Sequence, residues 1–140
     1  MFQSLIVFIG KYAILIIAGS LIGAFLLQFA TKIIAKFKPN YLLAFKTLLI
    51  VNIIAFFLGF MIGFLASAFH IPLSSSSQIL ILILNFLLTA YLFGILIKDP
   101  NNESVGFQKG LLIFLLQVVF VGTLIFIIGA IFFLLMDKNH

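Results

Sequence analysis

Four apolar runs, each of about twenty residues or more, fill most of this chain, and its polar residues gather in the gaps between them. A helix of ~20 apolar residues crosses the ~30 Å hydrocarbon layer of a bilayer with every backbone hydrogen bond made internally, which irregular chain cannot do. The runs fall at roughly residues 5–30, 42–69, 78–97 and 108–135. At 65% hydrophobic and 8% charged residues the chain stands far from a soluble domain, where about 45–50% and 25% are usual. The expected fold is therefore that of an all-α integral membrane protein. Residues 1–140 form a single transmembrane domain, a four-helix transmembrane bundle, up-and-down, with short loops.

The first run could be taken for a cleavable signal, but Met1 to Gly10 carries no charge, and Thr31-Lys32 follows the run in place of a small-residue cleavage site. The first span is expected to stay in the mature chain. Orientation is read from lysine. Lys32, Lys36, Lys38 and Lys46 flank the first connection and Lys98 and Lys109 the third, whereas the second, HIPLSSSSQ, has none. Basic loops stay on the cytoplasmic side, so both termini are expected outside the cytoplasm, in a bacterial inner membrane. Lys11 lies inside the first run on a face with Ile14, Leu15, Ala18, Ile22, Phe25 and Phe29. Its stem suits lipid and its ammonium can reach the outer headgroups. Interfacial lysines Lys32, Lys36, Lys38 and Lys46 suit anionic headgroups on the other side.

Connection ends follow turn chemistry. A serine ahead of the third run is expected to cap its helix, and Pro100 ends that helix near residue 99.

The stretch LLIVNIIAFFLGFMIGFL, residues 48–65, carries one amide and two glycines spaced by four. Asn52, Ala55, Gly59, Gly63 and Ala66 share one helical stripe, and small residues let transmembrane helices approach closely. Gly19 and Gly23 of the first span are the expected packing partners of Gly63 and Gly59, as antiparallel neighbours. Asn52 then needs a hydrogen-bond partner, and Gln28, Thr89 and Gln117 lie at similar depth, with Asn85 one turn from Thr89. Gln28, Asn52, Asn85, Thr89 and Gln117 are thus the intramembrane polar contacts. They either join helices or line a path.

No Asp, Glu, Arg or His stands in the middle of a span, which argues against a proton relay or voltage sensor. Cysteine is absent, and neither a carboxylate pair nor a phosphate-cradling glycine loop occurs. No catalytic residue, metal ligand or cofactor site is expected, and the basic residues offer no groove-reading element for nucleic acid. With almost no mass outside the bilayer, the expected function is that of a non-catalytic inner-membrane subunit. Such an accessory, assembly or immunity-type protein acts through helix contacts with a membrane partner or a second copy, in a homo-oligomer. The alternative is a small oligomeric channel, carrier or lipid-translocating protein with an uncharged polar cleft.

Overall fold

The computed structural model describes residues 2–138; Met1 and residues 139–140 lie outside the described part. Four helices follow one another, α1 (Phe2–Ile34), α2 (Tyr41–Ala68), α3 (Ser75–Leu96) and α4 (Phe107–Asp137). Each is long and apolar enough to cross a membrane. They match the predicted runs to within a few residues, except that α1 runs on to Ile34, past Thr31 and Lys32. The molecule is an all-α four-helix bundle, up-and-down, in which α1 packs on α2, α3 on α4, and α1 on α4; α2 and α3 touch least.

Helix ends have local causes. Asn40 caps α2, its Oδ1 accepting from Leu42 N at 3.1 Å, and Ser74 caps α3 by accepting from Ser77 N at 3.4 Å. The third connection is ordered by Asp99, whose Oδ1 accepts from Asn101 N and Glu103 N at 3.0 and 2.9 Å. It returns to the helix it leaves: Val105 N donates to Ile97 O and Gly106 N to Gly94 O, both at 3.0 Å.

Packing is concentrated at one end. Ala24, Leu27 and Ala30 of α1, Ala44, Leu48 and Val51 of α2, Phe93 and Ile97 at the end of α3, and Ile113 of α4 form one core beside the first and third connections. Away from it the helices part. Every residue from Val121 to Lys138 is exposed within the bundle, as is nearly all of α1 before Ser20. The termini end of the molecule is open, and the end with the first and third connections is closed.

The predicted register of α1 against α2 is corrected by this packing. Asn52 Nδ2 donates to Ser20 Oγ at 3.0 Å, and the Tyr12 and Phe56 rings lie 5.5 Å apart. Each step along one antiparallel helix matches a step back along the other, so Gly59 comes level with about residue 12 and Gly63 with about residue 8. The glycine pairs do not meet. A methyl group added at Gly19, Gly59 or Gly63 would find nothing within 4 Å, and of the four predicted packing glycines Gly23 alone is in a close contact. The turn between Ile34 and Tyr41 sets the register, and it brings Gly59 and Gly63 level with α1 residues that precede Gly19.

Backbone contact instead occurs between α3 and α4. A methyl on Gly94 would lie 2.7 Å from Gly106 C and O, and one on Gly110 would lie 2.5 Å from Ala90 O and Gly94 N. These helices cross where neither has a side chain.

Candidate functional site

The polar residues predicted to act together separate into three sets. Gln28, 7% exposed, donates from Nε2 to Pro39 O at 2.9 Å, tying the first connection to α1. Tyr41 adds a second tie, its hydroxyl donating to Leu21 O at 2.8 Å while its ring lies 4.7 Å from that of Phe25. Both bonds are local fasteners of the first connection.

Asn52 forms the second set with Ser20, a fully buried residue absent from the expected partners. Ser20 sits in a run of alanine and glycine, where it reads as one more small packing residue; depth along a helix says nothing of the direction a side chain faces.

The third set faces a cleft of about 270 Å³ among α2, α3 and α4. Asn52, Thr89 and Gln117 are its polar wall, with Leu48, Val51, Ala55, Phe93, Phe114, Val118 and Val121 around them. Thr89 Oγ1 donates to Asn85 O at 2.8 Å, the helix back-bond that a buried hydroxyl makes when no other acceptor is near. Asn85 takes part only through this carbonyl and does not line the cleft. Gln117 is 7% exposed and its Oε1 is fully buried with no hydrogen-bond partner. Gly23 of α1 lies behind it: a methyl there would make an ordinary 3.6 Å contact with Gln117 Nε2 but would crowd Leu48 Cδ1 at 2.9 Å, so the missing side chain makes room for Leu48. Chemically the cleft offers hydrogen bonds without charge, since no ionisable side chain lines it.

Comparison with family models, with curated proteins and with solved structures gives no match for this chain. Function is therefore argued from the geometry.

The lysines lie apart from the cleft. Lys11, Lys32, Lys36, Lys38 and Lys46 are exposed, as are Lys98 and Lys109. All but Lys11 stand at the closed end. Lys38 Nζ lies 6.0 Å from the centroid of the Phe29 ring, a cation–π distance at the edge of its useful range. Among the described residues no group of three or more His, Asp or Glu side chains is placed to hold a metal ion. Sequence reasoning missed Ser20, Gly94 and Gly110. The last two do leave a signal, since they bracket the third connection and a chain that reverses so tightly needs small residues on both sides.

Proposed function

We propose that this chain is a non-catalytic subunit of an inner membrane, an accessory, assembly or immunity-type protein that works through helix contacts with a membrane partner or a second copy. The observation that carries the reading is the bare outer part of α4, from Val121 to Asp137, exposed on every face within its own bundle. A helix that only needs to cross the bilayer gains packing by lying against its neighbours, and here about five turns forgo it. The lysines exposed at the closed end support a cytoplasmic position for the first and third connections.

A photoreactive phenylalanine placed in turn at positions 124 to 132 of α4 tests this. A docked helix touches one side of α4, so protein adducts should recur every three or four positions; lipid surrounds α4 and gives lipid adducts at all of them. Adducts of lipid alone would defeat the partner reading. A second reading, the small channel, carrier or lipid-translocating protein, is favoured by the meeting of Asn52, Thr89 and Gln117 on one cleft. Reconstituted liposomes whose permeability changes in Thr89→Val without loss of stability would favour it over the first.

A further inference from the structure

The termini end of the bundle has no core. Among the described residues, the first buried one in α1 is Ser20, α2 has none between Val51 and Ala66, α3 has none before Ala90, and α4 has none after Gln117. Yet α1 and α2 stay together there, with the Tyr12 and Phe56 rings 5.5 Å apart, and the short turn from Ala68 to Ser75 keeps the start of α3 near the end of α2. The helix that leaves is α4, exposed at every residue from Val121 to Asp137. Among the outer halves of α1, α2 and α3 remains a hollow with the place of one helix vacant.

The chain's own α4 is held away from that place. Gly110 meets Ala90 O and Gly94 N backbone to backbone, which fixes the direction in which α4 departs from α3. From Phe107 to Asp137 it is one unbroken helix without proline, so nothing in it provides the sharp bend that would bring its outer half back. A second copy meets no such obstacle. Residues 121–137 make an arm of about 25 Å, and α1 from Phe2 to Ser20, a wall of the hollow, runs about 27 Å. Arm and hollow lie at the same end of the molecule, and a two-fold axis along the membrane normal keeps each residue at its depth. Their chemistry matches as well. The arm has no charged side chain before Asp137, and the walls have only Lys11. Helices in lipid associate through close side-chain packing, which the arm gains on faces its own bundle leaves bare. Since one chain supplies both arm and hollow, two copies close the interface by exchanging an identical element, and no other protein is required.

We propose that two copies of this chain exchange the outer halves of α4, each arm seated in the hollow among the outer halves of the other copy's α1, α2 and α3. This exchange rests on the reading above that bare α4 meets a protein, and makes that protein a second copy of the chain.

Cysteine pairs test it, because the natural chain has no cysteine. Gly23 of α1 stands beside Gln117 of α4, and steps of seven residues, close to two turns, carry that face to Ile16 and Ile9 on one helix and to Leu124 and Ile131 on the other. Two differently tagged copies are co-expressed, one with Ile16→Cys and the other with Leu124→Cys, and oxidised in the membrane with copper phenanthroline. Ile9→Cys with Ile131→Cys is the second pair. Disulfide-linked dimers containing both tags should form in each pair and should far exceed those from Leu124→Cys or Ile131→Cys expressed alone. In mild detergent the unaltered chain should run as a dimer, at twice its 15.6 kDa. Arm-to-arm disulfides in place of the mixed ones overturn the exchange but leave contact between copies standing. With both cysteines of a pair on one chain, a disulfide closed within that chain puts the arm in its own bundle and overturns the exchange as well. No linked copies, together with photoadducts from α4 to a different protein, overturn the exchange alone; no linked copies and adducts of lipid only defeat both readings.

Discussion

Asn52 and Gln117 are amides on one cleft wall, yet replacement by leucine should act on them in opposite ways. Asn52 donates to Ser20 Oγ at 3.0 Å, and Ser20 is fully buried, so Asn52→Leu strands a hydroxyl between two helices. The expected loss is about 0.5–2 kcal/mol, read from thermal unfolding in detergent. Gln117 has no bond to lose. Gln117→Leu should leave stability in detergent level or raise it, since it removes an unmatched polar group from an apolar wall. An equal loss in the two variants would mean that Gln117 is bonded within the chain. Asn52 was legible in the sequence because one amide among aliphatic residues must find a partner. Ser20 was not, because serine passes for a small spacer and the depth rule favours any larger amide at the same level.

At the scale of elements, the spacing that announces helix packing in lipid is not the one that packs these helices. Gly59 and Gly63 share a face four residues apart, but that face has no neighbour in the bundle, whereas Gly94 and Gly110 belong to no pair of glycines four apart within their helices and meet backbone to backbone. Gly110→Ala should cost about 1–3 kcal/mol, because its methyl would press on Ala90 O and Gly94 N, which cannot swing aside as a side chain can. Gly59→Ala and Gly63→Ala should leave the unfolding temperature of the single chain unchanged or slightly raised, as alanine is the better helix former. Measuring all three in the same micelle separates crossing from stripe; a large loss at Gly59 or Gly63 would show a second copy packed there. Helix number and extent could be read from the apolar runs, since the hydrocarbon thickness imposes them. Register could not, because it depends on which side chains meet across the hairpin, and Ser20 opposite Asn52 gives no signal of its own.

Across the whole molecule, two helical hairpins are fastened at one end and part towards the other. Fastening is the work of the first and third connections, through Gln28 to Pro39 and Gly106 to Gly94, and the core lies beside them. All lysines except Lys11 and Lys138 flank these same connections. Which side of the membrane the closed end faces therefore decides which leaflet the cleft meets. Each lysine near a loop opposes translocation of that loop, so the closed end should be cytoplasmic. Single cysteines at Asn40, Ser76 and Asn102 read this directly, because the natural chain has none and all three positions are exposed. In intact cells a membrane-impermeant maleimide should label Ser76→Cys at once and reach Asn40→Cys and Asn102→Cys only after permeabilisation. The Asn52, Thr89 and Gln117 wall would then lie in the cytoplasmic half of the bilayer. The reverse labelling pattern would turn the molecule over and put the same wall in the outer half.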